Sequence, residues 1–172
     1  MFNEIQNWRL IYTRPQHEKK VFARLCESGI EAYLPTFKCL RKWRDREKCI
    51  SVPLFPSYLF VRIKETGEFY RSQHVEGVLH FVKFGGEIAT IKEAIVNNIR
   101  ILIDSGTDIG VSADYFKAGE RLIIRGGPLK GMDCEIVKIQ NRSKILVRVE
   151  LLKRSILTTL PEDCLLPSGV EY

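Results

Sequence analysis

Strand-like and helix-like hydrophobic patterns alternate along the N-terminal part of the chain. The run from Trp8 to Tyr12 is rich in aromatic and branched residues, which predicts a strand, and Val21, Phe22 and Leu25 then share one helical face. Further strands are predicted at 31–37, 57–63 and 78–84, and helices at 68–74 and 91–102. This order predicts a small α/β sandwich in which helices cover one face of a mainly antiparallel sheet.

The C-terminal part has an all-β pattern. Short runs of branched residues, separated by turn residues, occur at 121–125, 135–139, 145–149 and 155–159 and predict a small closed barrel. Residues 105–117 have no clear period, so they are predicted to form a linker. The predicted fold class is therefore α+β, with domain 1–104 and domain 118–172 joined by that linker.

Charge and cysteine content narrow the class of protein. The 172 residues carry a formal net charge of +6, which favours a polyanionic partner such as nucleic acid. The chain has 5 cysteines, and none of them form a C-x-x-C pair, so neither a zinc site nor a thioredoxin-like motif is predicted. We find no secretory signal and no membrane-length apolar run, and we therefore expect a cytoplasmic protein with no membrane partner.

The strand predicted at 57–63 has two apolar faces. Alternation places Leu59 and Val61 on one face and Tyr58 and Phe60 on the other. Helices that cover only one face would leave the second set open, and an open aromatic patch usually marks a partner site. The alternative interpretation is that the second set is core, covered by a helix, a loop or the second domain.

Two basic clusters are candidates for contact with nucleic acid. Helical spacing gathers four residues on a flank of the first helix: Arg14, His17, Lys20 and Arg24. A second cluster surrounds Trp43 at the tip of a predicted long hairpin: Arg41, Lys42, Arg44 and Arg46. The alternatives are a solvated helix face for the first cluster and a solubilising loop for the second.

No motif in the chain predicts catalysis. His17, His74 and His80 lack the spacing of metal ligands, and no nucleophile elbow or zinc-binding helix motif is present. The glycine-rich stretch 126–131 lacks the spacing and the terminal Lys-Ser/Thr of a phosphate-binding Walker loop. We therefore predict that the protein is not an enzyme and needs no cofactor or metal.

Four stretches, taken together and in this order, resemble the NusG family of bacterial transcription factors: Trp8–Val21, Pro53–Val61, Gly77–Gly85 and the KOW-like Gly119–Gly131. The resemblance implies a NusG-type N-terminal sandwich followed by an SH3-like KOW barrel. The second and third stretches are most similar to specialised paralogues such as RfaH and the UpxY-type antiterminators of surface-polysaccharide operons. The chain departs from the family at Cys134, where the KOW pattern usually has a glycine, and at 68–71, where it lacks RfaH's threonine-rich run.

The resemblance also implies partners. It suggests that an aromatic surface binds paired helices of the largest RNA polymerase subunit, through Tyr12, Pro56, Tyr58, Phe60 and Phe84. It suggests that the first basic cluster, at the first helix, approaches non-template DNA, and that the barrel recruits a ribosomal protein or a termination factor. The implied function is elongation and antitermination by a monomer, on specific long operons. A general NusG-type factor and a KOW-containing ribosome- or RNA-binding protein are the alternatives.

Overall fold

The computed structural model describes residues 8–43, 46–106, 109–112, 120–123, 133–139, 142–149 and 154–159. At 39–43, at 46 and at most of the described positions from 109 onward it describes only backbone, not side chains. The chain divides into two compact units, residues 1–93 and 94–172.

The first unit is built around an antiparallel sheet. Its elements in chain order are β1 (Trp8–Thr13), α1 (Glu18–Glu27), β2 (Glu31–Tyr33), β3 (Thr36–Trp43), β4 (Arg46–Pro53), β5 (Tyr58–Arg62), α2 (Thr66–Gln73), β6 (Val78–Phe81), β7 (Lys83–Phe84), β8 (Glu87–Ile88) and β9 (Thr90–Ile91). The central sheet has the order β2-β5-β1-β6, and β9 also pairs with β1. Strands β3 and β4 form a separate hairpin, as do β7 and β8.

The core lies between one face of this sheet and the first two helices. Ile11 and Leu59 are register partners on neighbouring strands, so their side chains share a face. They belong to one buried cluster with Val21 and Leu25 of α1, and Phe69 of α2 packs against it. The predicted combination of helices with an antiparallel sheet is therefore confirmed.

Two predicted strands are divided in the structure, and one predicted helix begins later than expected. The strand predicted at 31–37 is divided into β2 and β3, because Pro35 lies between them and its carbonyl accepts a hydrogen bond from Leu54. The strand predicted at 78–84 is divided at Val82, whose N–H donates to the carbonyl of Leu10. The helix predicted from 91 begins later, at Glu93, because Ile91 pairs with Trp8 in the sheet.

The second unit contains a second antiparallel sheet. Helix α3 (Glu93–Asp104) precedes its strands, and buries Val96, Ile99 and Leu102 on one face. The strands are β10 (Ile109–Ser112), β11 (Glu120–Ile123), β12 (Asp133–Ile139), β13 (Arg142–Val149) and β14 (Arg154–Thr159), in the sheet order β10-β14-β13-β12-β11. The four predicted strands are present, whereas closure into a barrel stays a prediction.

Two details of the second unit bear on the sequence predictions. Strand β10 lies inside segment 105–117 and pairs with β14, so part of the predicted linker is a sheet strand. The domain limits at 104 and 118 remain predictions. Cys134 pairs with Leu122 in regular antiparallel register. Among the described residues, the non-glycine positions with positive φ are Gln16 and Ser57, so Cys134 does not adopt the positive φ that would require a glycine at this position.

Candidate functional site

Three rings form a row across the central sheet. Tyr12 lies opposite Tyr58 on β5 and opposite His80 on β6, so the three side chains share a face. The Tyr12 ring centroid lies 5.1 Å from that of Tyr58 and 5.3 Å from that of His80. Both tyrosines are half-buried and His80 is exposed. We call Tyr58, Tyr12 and His80 the aromatic row.

The same face is closed at its other end. Phe60 lies opposite Leu10, and both side chains are 0% exposed. The rings of Tyr33 and Phe55 each lie 6.1 Å from that of Phe60. The prediction that Phe60 belongs to an open surface is therefore wrong, because neighbouring aromatic residues enclose it and make it a core residue. Tyr58, two residues earlier, lies where the face begins to open.

Two other predicted contact residues reach solvent. Phe84 is 78% exposed and lies on β7, in a two-strand hairpin with β8. Gly85 and Gly86 between these strands have φ of 59° and 90°, a geometry that favours glycine and allows a tight turn. Pro56 is exposed immediately before β5. Of the five predicted contact residues, four are thus at least partly open and one is core.

The turn before β5 has unusual backbone geometry. Ser57 has a φ of 67°, a left-handed conformation that is costly for a residue with a Cβ. Its carbonyl accepts a 2.8 Å hydrogen bond from the N–H of Thr13, which follows Tyr12. The two tyrosines of the aromatic row are therefore flanked by residues that are hydrogen-bonded to each other.

The basic residues near α1 have three different environments. Arg14 and Lys20 are exposed. His17 is half-buried, and its Nδ1 atom is buried without a hydrogen-bond partner among the described residues. Arg24 forms a 2.7 Å ion pair with Glu76 and donates a 2.8 Å hydrogen bond to the carbonyl of the same residue. Arg14 and Lys20 are therefore open as predicted, although Arg14 precedes α1, which begins at Glu18. Arg24 and His17 are not open, because Glu76 engages Arg24 and the surrounding chain encloses much of His17.

The basic hairpin is present as backbone. Strands β3 and β4 pair along their full length from Thr36 and Pro53 to Trp43 and Arg46. Arg44 lies outside the described residues, and of Arg41, Lys42 and Arg46 only the backbone is described. Their role at the tip stays a prediction.

Sequence reasoning missed His80 as a member of the site. We considered its imidazole only as a metal ligand, although strand alternation in 78–84 would have placed it on the face opposite Phe81. Within the described ranges, no cluster of three or more histidine, cysteine or acidic residues could hold a metal ion. None of the helices described here is both long enough and apolar enough to span a bilayer.

A comparison with protein families identifies the family to which the N-terminal part of the chain is similar. The family model described as "Transcription termination factor nusG" matches residues 6–100, more than half of the chain. The chain belongs to the NusG family. The matched region contains the aromatic row, the β7–β8 hairpin and α1, so every predicted site residue lies in the NusG-type part.

Solved structures with partial similarity include NusG and Spt5 chains. One is described as "Domain interaction in Thermotoga maritima NusG"; it is 22% identical, covers 90% of this chain and 92% of that one, and has a TM-score of 0.49. Another is described as "Crystal Structure of MjSpt4:Spt5 complex conformation A"; it is 12% identical, covers 80% of this chain and 83% of that one, and has a TM-score of 0.30. The family assignment rests on the family model.

Proposed function

We propose that this NusG-family protein is a transcription elongation factor that binds RNA polymerase through the aromatic row, Pro56 and Phe84. The observation that carries the proposal is the row itself: three stacked or tilted rings on adjacent strands, left partly open to solvent. Large aromatic side chains that are only partly covered are typical anchors of protein interfaces.

The proposed partner is the pair of helices on the clamp of the largest polymerase subunit. A helix pair offers apolar side chains at regular spacing, which suits a flat row of rings backed by a rigid sheet. The exposed ring of Phe84 adds a separate anchor at the tip of its hairpin. A factor bound in this way promotes elongation only if it binds the active polymerase conformation more tightly than the paused one.

The exposed basic residues near α1 support a second contact, with the non-template DNA strand. Arg14 and Lys20 are open to solvent, and a phosphate backbone would bind them in a salt-dependent manner. We propose the tip residues Arg41, Lys42, Arg44 and Arg46 as further contacts on the basis of their charge and position.

The finer assignment is operon-specific antitermination, which the RfaH- and UpxY-like stretches favour. In this proposal, residues 118–172 form a KOW barrel that recruits a ribosomal protein or a termination factor. The presence of two compact units in one chain supports separate roles, with polymerase binding in one and recruitment of a further factor in the other.

The test is binding to matched core RNA polymerase and transcription through a pause site. Truncating an interface anchor costs about 2 kcal/mol or more, so Tyr58→Ala should weaken binding roughly thirtyfold and shorten the transcripts correspondingly. Tyr70→Ala is the matched control, because Tyr70 is 57% exposed but lies on α2, away from the row. Equal binding by wild type and Tyr58→Ala would contradict the proposal. Tight binding to ribosomes with no polymerase binding would favour the translation-side alternative.

A further inference from the structure

The buried carboxylate of Glu18 is bonded to the turn that carries Tyr58. Its Oε1 atom accepts a 2.7 Å hydrogen bond from the backbone N–H of Ser57, which lies 39 residues away in sequence. Glu18 is 5% exposed and Ser57 is 8% exposed, so water does not compete freely for this contact. A buried carboxylate without such a donor would be strongly disfavoured.

This contact completes a set of bonds around one residue. The carbonyl of Ser57 accepts from the N–H of Thr13, and its N–H donates to Glu18, so both backbone polar groups of Ser57 are held by the β1–α1 segment. A serine keeps a positive φ only where its surroundings impose it, and a charge-assisted hydrogen bond is a strong constraint of this kind. The strained backbone of Ser57 therefore depends on contacts from β1 and α1.

Ser57 stands between two members of the proposed docking surface. Pro56 precedes it and Tyr58 follows it, while Thr13, its other partner, follows Tyr12. A change in the Ser57 backbone would therefore alter the direction of Tyr58 relative to Tyr12, whose rings lie 5.1 Å apart.

We propose that Glu18 is a positioning residue for polymerase binding, which presets the Ser57 turn and with it the Tyr12–Tyr58 geometry. The inference rests on the proposed function, because it concerns the same docking surface. Side chains that are already held in their bound arrangement lose less entropy on association, so a preset row binds more tightly than a loose one.

Three substitutions at Glu18 in the full-length protein separate the hydrogen bond from size and charge. Glu18→Gln keeps an acceptor oxygen at nearly the same place and removes the charge. Glu18→Met has a similar length, removes the charge too, and leaves the Ser57 N–H without a partner. Glu18→Asp keeps the charge but draws the oxygen back by one methylene, so it tests the same contact in a variant that preserves polarity if the methionine variant does not fold.

The expected affinity of each variant for core RNA polymerase depends on whether residue 18 still offers an acceptor oxygen to the Ser57 N–H. Glu18→Met and Glu18→Asp should each weaken binding about tenfold, and Glu18→Gln should stay within about threefold of wild type. Amide hydrogen exchange at Ser57 should be faster in the first two variants and nearly unchanged in the third. Equal affinity of the glutamine and methionine variants, with the methionine variant folded, would overturn the proposal.

A double-mutant cycle with Tyr58→Ala distinguishes positioning from a general structural role. If Glu18 acts through Tyr58, adding Glu18→Met to Tyr58→Ala should weaken binding only slightly further; full additivity would overturn the inference. If Tyr58→Ala alone leaves affinity unchanged, the proposed function fails and the inference fails with it. If Tyr58→Ala weakens binding while Glu18→Met and Glu18→Asp do not, the docking surface stands and only the role of Glu18 is disproved.

Discussion

The guanidinium of Arg62 lies over the ring of Trp8, with its central carbon 4.7 Å from the ring centroid. Arg62 also forms ion pairs with Glu31, at 3.4 Å, and with Glu93. The Trp8 indole donates a 2.8 Å hydrogen bond to the same Glu93 carboxylate. Two carboxylates, one cation and one ring therefore join β1, β2, β5 and Glu93, the last residue of the first unit, at a position where the Arg62 side chain is only 23% exposed.

Replacing Arg62 with methionine should lower the free energy of unfolding by about 1–3 kcal/mol. The substitution keeps much of the apolar stem, so the loss reports the two ion pairs and the cation–π contact, which are partly shielded from water. Equilibrium urea unfolding is the measurement. Arg71→Met is the matched control, because Arg71 pairs with Glu65 at 3.5 Å where both side chains are more than half exposed, and it should cost less than about 0.5 kcal/mol. Similar losses in the two variants would refute this assignment.

Gly77→Ala should destabilise the first unit by about 2–4 kcal/mol. Gly77 has a φ of 101°, and a Cβ there would lie 2.8 Å from Cγ2 of Val21, a core residue. Gly29→Ala separates the two causes, because Gly29 has a φ of 73° but nothing within 4 Å of an added Cβ. Gly29→Ala should lower the free energy of unfolding by only about 1 kcal/mol, because the left-handed backbone conformation is the only source of strain there. Thermal unfolding of both variants would show the difference, and equal shifts would exclude the steric part.

Phe84 and Phe60 should give opposite results when each is replaced with alanine. Phe84 is 78% exposed, so Phe84→Ala should leave stability within about 0.5 kcal/mol and weaken polymerase binding. Phe60 is 0% exposed, so Phe60→Ala should cost about 3–5 kcal/mol of stability. Urea unfolding and polymerase affinity, measured on the same preparations, test this pair. A large stability loss in Phe84→Ala would show that this ring is structural.

The alternation of residues predicted strand faces more reliably than it predicted exposure. Tyr58 and Phe60 share a face as the sequence indicated, since they lie opposite Tyr12 and Leu10 respectively. Whether a face is open depends on side chains from distant positions, such as Phe55 and Tyr33 beside Phe60. Local pattern carries no information about such packing, which is why one end of this face is core and the other is a candidate site.

The same limit applies to charge. Helical spacing predicted one basic flank that includes Arg14, Lys20 and Arg24, but α1 begins only at Glu18, so Arg14 lies before the helix. The ion pair between Arg24 and Glu76 joins residues far apart in sequence. The buried hydrogen bond from Ser57 to Glu18 has the same origin. The sequence did not indicate a role for Glu18, which lies among basic residues, because its partner is the backbone N–H of Ser57 and not an oppositely charged side chain.

The two exposed basic residues near α1, Arg14 and Lys20, predict a measurable salt dependence of DNA binding. For single-stranded DNA, the slope of log affinity against log salt is about −0.7 for each phosphate neutralised, so Arg14→Ala and Lys20→Ala should each make the slope shallower by about 0.7. Arg24→Ala should change it less, because Glu76 already engages Arg24. Fluorescence anisotropy with a labelled oligonucleotide between low and physiological salt gives the slopes. Arg71→Ala removes the same charge from α2, so an equal change there would mean that the slope reports net charge and that Arg14 and Lys20 do not contact the strand.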